Sequence, residues 1–221
     1  MTYGDFAWND LLRPGQGQDT RRRERHITPY IEGDPVPYME FGEDDWIWKI
    51  TRTIRSKLMR PRLEFILDVE RPPRRAFGID DYAAAVLKEI TRQPNSVWVT
   101  LEFGNRPGVK VRDVPPSFPP RINRIATLPF APRDGMQKTT EAAKKIDLLI
   151  GGKPIGAYLS FGRIDIGNLG FGGAVRSVLD ALSYPLGGDV DRPGKLRIKD
   201  LRVTRDPGLI DEIEVRLWNM D

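Results

Sequence analysis

Three aspartates that flank a single predicted helix, and one arginine within it, are the residues of this chain best suited to chemistry. Asp165 precedes that helix, while Asp189 and Asp191 follow it, all in turn-rich sequence. The helix is indicated by apolar residues at helical spacing, namely Val175, Val178, Leu179 and Leu182. A helix between two acidic turns brings carboxylates together, and carboxylate oxygens are the ligands that magnesium prefers. The alternative is that Asp and Gly form turns here and nothing more.

Carboxylates that converge on Mg²⁺ are suited to cleaving a phosphodiester, because the metal activates water and stabilises charge on the phosphate. Asp165, Asp189 and Asp191 are therefore candidate metal ligands and candidate catalytic residues. Arg176, inside the helix, is a candidate for neutralising a phosphate oxygen, with a plain exposed helix residue as the alternative. The glycine-rich segment 170–173 lacks the Lys and Ser or Thr of a P-loop, which favours a tight turn or close packing.

Composition removes several other classes of site. The chain has no cysteine and a single histidine, His26. Thiol nucleophiles, disulfides and thiolate metal sites are thereby excluded, and a Ser-His-Asp triad or a histidine-built zinc site is disfavoured. Any enzymatic chemistry must rest on carboxylates, lysine or tyrosine. No apolar run reaches the roughly 18 residues of a membrane span, so we expect a soluble protein of the cytoplasm or another intracellular compartment.

Basic residues are spread along the chain. Lys and Arg number 35 against 31 Asp and Glu, which gives a formal net charge of +4 and a pI near 9.4. This balance suits a polyanionic partner, so nucleic acid is expected, with DNA favoured. Solvated charge runs are the alternative for each basic cluster. Two clusters are candidates for contact with phosphate: Arg21, Arg22 and Arg23 near the N-terminus, and Arg71, Arg74 and Arg75 in a proline-containing loop.

The hydrophobic pattern predicts an α+β fold with a small mixed sheet and a few packed helices. Residues 1–45 are interpreted as a flexible N-terminal arm, because Pro and Gly interrupt every apolar period. Residues 46–221 are expected to form a single domain with a proline-rich loop at 104–135, and no internal repeat is evident. Helices are predicted to begin near residues 45, 80 and 139 and to cover 175–182, and strands to cover 63–69, 97–103, 155–161, 196–204 and 212–218, with a bulge near Lys199.

Part of this pattern resembles the RusA-like Holliday junction resolvases. That family has Asp-x-Asp-Asn-Leu, a helix ending in Asp-Ala-Leu, a Gly-containing turn, an acidic pair and two closing strands. The corresponding residues here are Asp-Ile-Gly-Asn-Leu at 165–169, Val-Leu-Asp-Ala-Leu at 178–182 and Gly-Gly-Asp-Val-Asp at 187–191. The segment 65–73, a strand followed by Pro-Pro, is similar to the family's opening strand and turn. Gly167 stands where the family has its second aspartate, and residues 104–150 are additional.

The resemblance implies a Mg²⁺-dependent endonuclease acting on branched DNA, or a DNA-binding relative that has lost cleavage with the aspartate replaced by Gly167. It implies that Asp165, Asp189 and Asp191 hold the metal. It also implies that Arg176 and the 71–75 loop contact phosphate.

Two other functions stay open on the sequence. A non-enzymatic, nucleic-acid-associated structural or assembly protein, such as a viral matrix or coat-like protein, would also combine a polar arm, a small α+β core and a basic balance. A protein-interaction domain would use Trp46, Trp48 and the proline-rich loop. Homodimer formation, and a phage or virus origin, are compatible with these expectations.

Overall fold

One mixed sheet of eight strands, with four α-helices packed beside it, makes up the described part of the chain. The computed structural model describes residues 29–37, 42–55, 61–71, 77–90, 96–114, 122–130, 136–147, 153–163, 170–187 and 194–220. The predicted α+β class is confirmed.

The helices and strands have the following bounds. The strands are β1 Tyr30–Glu32, β2 Pro61–Asp68, β3 Ser96–Gly104, β4 Gly108–Asp113, β5 Arg124–Pro129, β6 Ile155–Arg163, β7 Ile198–Ile210 and β8 Glu212–Asn219. The helices are α1 Glu43–Arg55, α2 Ile79–Ile90, α3 Gln137–Ala143 and α4 Gly170–Ala181, and a 3₁₀ helix at Gly194–Arg197 leads into β7.

The sheet consists of two halves with the same topology. Neighbouring strands follow the order β1-β4-β2-β3-β7-β6-β8-β5. Within it β2 and β3 are parallel, β6 and β7 are parallel, and the other neighbouring pairs are antiparallel. The chain runs β1-α1-β2-α2-β3-β4 and then β5-α3-β6-α4-β7-β8. The strand order therefore reads the same from either edge once each strand is exchanged for its counterpart.

This repeat of topology is not evident as an internal repeat in the sequence. The two halves share the alternation of buried and outward residues along their strands, as in Leu63, Phe65 and Leu67 of β2 and Ala157, Leu159 and Phe161 of β6. A buried strand position accepts several apolar residue types, so topology can repeat where residue identities do not.

The helices form a layer on one face of the sheet. α2 and α4 pack against each other at the centre, with α1 beside α2 and α3 beside α4. Aromatic contacts join this layer to the strands, since Phe65 lies 5.6 Å from Tyr82 of α2 and Phe161 lies 5.2 Å from Phe171 of α4, measured between ring centroids. None of the described helices lies on the opposite face, which we call the open face.

The predicted bulge near Lys199 is confirmed. Ile155 pairs with Ile198 and Gly156 pairs with Asp200, so Lys199 is the extra residue on β7. It reconciles the buried Ile198 with the buried Leu201, which have opposite phase in a regular strand.

Three strands occur where the sequence predicted irregular chain. β1 lies within the predicted arm, and β4 and β5 lie within the predicted proline-rich loop 104–135. Prolines border these strands or end them, as Pro129 ends the edge strand β5, where a missing N–H is tolerated. Their pairing is long-range, since β4 joins β2 and β5 joins β8, which a local pattern does not reveal. Residues 1–28 of the arm lie outside the described residues.

Candidate nucleic-acid interface

Most of the site residues predicted from sequence lie outside the described part of the chain. These are Asp165, Asp189 and Asp191, the candidate metal ligands, together with Arg21, Arg22, Arg23, Arg74 and Arg75. Arg71 is described, and it is exposed just after β2. Among the described residues no group of three or more acids or histidines could hold a metal ion. The magnesium site stays a prediction.

The described residues that flank the three aspartates lie at opposite ends of β6. Arg163 ends β6 two residues before Asp165. The segment that contains Asp189 and Asp191 lies between Gly187 and Gly194. The residue before Gly187, Leu186, accepts a hydrogen bond from Arg197. Gly194 begins the 3₁₀ helix that leads into β7. β7 starts at Ile198, and this residue pairs with Ile155 at the other end of β6. A nine-residue strand is about 26 Å long, and this length separates the two ends of β6 to which the described flanking residues belong.

Arg176 belongs to a charged cluster between α2, α4 and the 3₁₀ helix, which we call the α2 cluster: Asp80, Asp81, Arg176, Asp180 and Lys195. The Nη2 atom of Arg176 lies 3.1 Å from Asp81, and its Nε atom lies 3.9 Å from Asp80. The Nζ atom of Lys195 lies 2.8 Å from Asp80 and 2.6 Å from Asp180. The guanidinium of Arg176 is thus engaged by carboxylates that stand far away in sequence, and its contact with phosphate stays a prediction.

The start of α2 explains why two acids lie side by side there. Asp81 accepts a hydrogen bond of 2.9 Å from the backbone N–H of Gly78, the residue before the helix, in the manner of a capping box. Both carboxylates also lie at the positive end of the helix dipole. A side chain at Gly78 would collide with the Asp80 carboxylate and force that carboxylate to shift.

Burial is the main influence on the two central ionisable groups of the cluster. Burial raises the pKa of Asp80, whose side chain is fully buried, and the charge of Asp81 adds to that rise while Lys195 opposes it. Burial acts to lower the pKa of Lys195, but Asp80 and Asp180 outweigh it, so the pKa of Lys195 is raised. Burial therefore prevails at Asp80, whereas the neighbouring carboxylates prevail at Lys195. Lys195 keeps some solvent exposure and contacts two carboxylates. The arrangement is that of a structural ion-pair network.

A different group of residues forms a continuous row across the open face. The register pairs place six side chains side by side across six neighbouring strands, in the order Arg112, Arg62, Trp98, Arg202, Tyr158 and Arg216. We call this the arginine row. With strands about 4.8 Å apart, it extends about 24 Å across the sheet.

Aromatic rings and carboxylates hold the arginine row in place. Trp98 stands between two guanidinium groups, with the Cζ atom of Arg62 at 3.9 Å and that of Arg202 at 4.0 Å from its ring centroid. Arg216 lies 5.5 Å from the ring centroid of Tyr158. Such cation–π contacts contribute about 0.5–2 kcal/mol each.

Three carboxylates pair with the cations of this face. The carboxylate of Glu64 lies 3.2 Å from Arg62, 3.4 Å from Arg112 and 3.9 Å from Lys110. Asp200 pairs with Arg202 at 2.9 Å, and Glu214 pairs with Arg216 at 2.5 Å. Four arginines and Lys110 therefore face three carboxylates, which leaves a surplus of positive charge along the row.

Some buried polar atoms of the open face have no hydrogen-bond partner among the described residues. They include the Nη1 atom of Arg202 and the Nε1 atom of Trp98. Arg202 is 8% exposed. An unpaired buried donor costs about 1–3 kcal/mol, so these two atoms reduce the stability of the folded protein.

Sequence reasoning missed the arginine row because its members come from six strands. The signal was present in part, since Arg62, Trp98, Tyr158, Arg202 and Arg216 each alternate with apolar residues along their strands. Alternation assigns a residue to a face of a strand, but it does not give strand order or register. The pairing of β3 with β7 joins the two halves of the sheet and places Trp98 beside Arg202.

Comparison of the chain with protein-family models, with curated proteins and with solved structures finds no match. The resemblance to RusA-like resolvases therefore rests on the motif residues alone. Among the described residues no helix is long and apolar enough to cross a membrane.

Proposed function

We propose that this protein binds nucleic acid on the open face of its sheet, with DNA favoured and phosphate as the group contacted. The observation that carries the proposal is the arginine row, in which four guanidinium groups and two aromatic rings lie side by side over about 24 Å. At the B-form spacing of about 3.4 Å per phosphate, that length corresponds to about seven phosphates of one strand. Proteins that bind single strands combine such a cationic track with aromatic side chains.

The row favours phosphate contacts over base stacking. The guanidinium groups of Arg62 and Arg202 both lie within about 4 Å of the Trp98 ring centroid. The ring therefore already makes cation–π contacts and is not free to stack on a base. What the row offers a ligand is guanidinium N–H donors, most accessibly those of Arg112, Arg216 and Arg62, whose side chains are partly exposed. Guanidinium groups suit phosphate oxygens because their planar fork can donate two parallel hydrogen bonds.

A salt titration of binding tests this proposal. Fluorescence anisotropy with a labelled DNA strand of about 20 nucleotides should give a log affinity that falls linearly with log salt between about 50 and 200 mM. The variant Arg62→Gln/Arg216→Gln should lose about tenfold or more in affinity and about one to two units of slope, because it removes two phosphate contacts. RNA of the same sequence, duplex DNA and a four-way junction identify the preferred form.

A control of equal charge separates contact from net charge. Lys144→Gln/Lys145→Gln removes two exposed cations from the end of α3, on the helix layer, and should bind nearly as well as the wild type. If the row variant loses thermal stability and binds DNA like the control, the row is only an ion-pair ladder within the sheet. Absence of binding by the wild type at low salt would also reject the proposal.

Cleavage of branched DNA is the finer proposal, and the motif resemblance supports it. It assigns Mg²⁺ to Asp165, Asp189 and Asp191, with Asp165→Asn as the decisive variant. Mg²⁺ should raise the melting temperature of the wild type and permit cleavage of a four-way junction, and Asp165→Asn should lose both effects. Equal responses of the two proteins to Mg²⁺, with no cleavage, would leave DNA binding or a structural assembly role.

A further inference from the structure

A concave pocket lies on the open face at the β1 edge of the sheet, and we call it the edge pocket. Its volume is about 640 Å³, and it is lined by Tyr30, Ile66, Gly104, Asn105, Arg106, Lys110 and Arg112. Pockets that hold small molecules have volumes of about 300–1,000 Å³. Arg112 belongs to both the edge pocket and the arginine row, so the two features are continuous.

Three cations and no carboxylate line the edge pocket. Lys110 and Arg112 are substantially exposed, with 39% and 44% of their side-chain surfaces accessible, and Arg106 is exposed in the β3–β4 turn. Glu64 faces Lys110 and Arg112 and is largely buried. Three further acids lie on the same face beside the pocket, as register partners of glycines and Ile66: Glu32, Asp68 and Glu102. The positive charge is therefore confined to the three cations of the lining, which suit a phosphate group.

An aromatic ring and an aliphatic side chain complete the lining. Tyr30 donates its hydroxyl to the carbonyl oxygens of Arg106 at 2.7 Å and Pro107 at 3.0 Å, which holds the β3–β4 turn against β1. The Tyr30 ring passes over Gly108, where an added Cβ would lie 2.7 Å from the ring, so glycine is required for this approach. Ile66 lies on the neighbouring strand β2. A planar base can pack against these two side chains while its phosphate meets the cations.

We infer that the edge pocket binds one nucleotide unit, with its phosphate on Arg106, Lys110 and Arg112 and its base against Tyr30 and Ile66. The inference rests on the proposed function where that nucleotide belongs to a bound strand. The same chemistry fits a free nucleoside monophosphate. The pocket would then set the position at which a strand enters the arginine row.

Binding of small probes tests the pocket by itself. Calorimetric titration with dAMP should show saturable binding, with deoxyadenosine alone and inorganic phosphate alone each at least about tenfold weaker, because each lacks one of the two contacts. Arg106→Gln/Lys110→Gln should weaken dAMP binding by about tenfold or more. Lys144→Gln/Lys145→Gln serves again as the control and should bind dAMP like the wild type. Equal affinity of the pocket variant and the wild type for dAMP would overturn the inference, and so would absence of dAMP binding.

A second variant removes the pocket without a change of charge. Ile66→Trp fills the cavity and should abolish dAMP binding, while the row still binds the labelled DNA strand. If Ile66→Trp binds dAMP normally, the base does not occupy the pocket and the inference fails.

The free and the strand-bound nucleotide are distinguished by competition. If dAMP displaces the labelled strand only in part, at concentrations that saturate the pocket, the pocket serves one unit of a strand. If saturating dAMP leaves binding of the labelled strand unchanged, the pocket holds a free nucleotide, and the Arg62→Gln/Arg216→Gln variant alone tests the proposed function. If the pocket variant leaves both ligands unaffected while the row variant loses DNA, the proposed function survives and the pocket inference fails.

Discussion

The two edges of the sheet have the same topology but different charged side chains on the open face. At one edge β4 presents Lys110 and Arg112 to the open face, beside Arg106 in the adjoining turn. At the other edge its counterpart β8 presents Glu212 and Glu214 along with Arg216, while the outer strand β5 presents Ile125, which is 65% exposed. The inward residues of both edges are alike, with Val109 and Val111 on β4 and Ile213 and Val215 on β8.

This difference shows that the repeated topology does not determine the residue types on the open face. Burial of alternate apolar residues contributes about 25 cal/mol per Å² and fixes which face of each strand meets the helices. Charged residues on the open face contribute little to that choice, since exposed ion pairs give about 0–1 kcal/mol. The two halves can therefore share one core pattern while the first half has the cationic residues of the edge pocket.

The N-terminal ends of the counterpart helices α2 and α4 also differ in their residues. α2 begins with Asp80 and Asp81, which form the α2 cluster with Arg176, Asp180 and Lys195. α4 begins with a glycine-rich turn, and a Cβ added at Gly172 would collide with the carbonyl oxygen of Ala84 in α2. One start is stabilised by charge and the other by close backbone approach.

The largest expected effect comes from breaking the charged start. Lys195→Met leaves the fully buried Asp80 without its closest cation, and removal of one partner of a buried ion pair costs about 3–5 kcal/mol. Urea unfolding at pH 7 measures this change. Lys153→Met, an exposed lysine beside β6, is the control and should change stability by less than about 0.5 kcal/mol. A small effect of Lys195→Met would mean that Arg176 alone compensates Asp80.

The stability of Lys195→Met should also depend on pH, in a direction that the pKa of Asp80 determines. The pKa of Asp80 is raised in the folded state, so the folded protein binds this proton more tightly than the unfolded chain. Without Lys195 that pKa rises further, and the variant should regain stability as the pH falls from 7 toward the unfolded value of 3.8. In the wild type, the contribution of charged Lys195 to the free energy of unfolding is present below pH 10.5. It is lost as the pH rises above that value, because the pKa of Lys195 is raised in the folded state. Unfolding of both proteins at pH 5 and pH 7 checks the difference.

A smaller effect is expected at the close-packed start. Gly172→Ala adds a methyl group against the backbone of α2, and overpacking of this kind costs about 1–3 kcal/mol. Ser177→Ala on the same helix adds no atom and is the control. Thermal unfolding compares the two variants, and a neutral Gly172→Ala would show that α2 and α4 can separate without loss.

The smallest expected effect sharpens the comparison of the two edges. Glu212→Lys makes the β8 edge more cationic and should raise affinity for the labelled DNA strand about three- to tenfold at low salt, with about one unit more of salt slope. Glu141→Lys makes the same change of charge on α3 in the helix layer. If both variants gain equally, net charge alone governs binding and the open face has no special part in it.

Local sequence determined much of this structure. Helical and alternating apolar periods predicted that α1, α2, α3, α4, β2, β3, β6, β7 and β8 exist, and opposite phases predicted the bulge at Lys199. The predicted bounds of β2, β3, β6 and β8 agree with the structure to about two residues, whereas α4 starts earlier and β7 ends later than predicted. These features follow from contacts between residues near each other in the chain, or from burial of one face of a single element. The absence of cysteine and the single histidine are also properties of the sequence alone, and they limit the available chemistry whatever the fold.

Strand order and register were decided only by the tertiary structure. The arginine row joins residues 62, 98, 112, 158, 202 and 216, and the α2 cluster joins residues 80, 81, 176, 180 and 195. Alternation places each row residue on the outward face of its own strand, but it is silent on which strand lies next to it. That choice depends on how two layers bury their apolar faces together, which is a property of the whole chain.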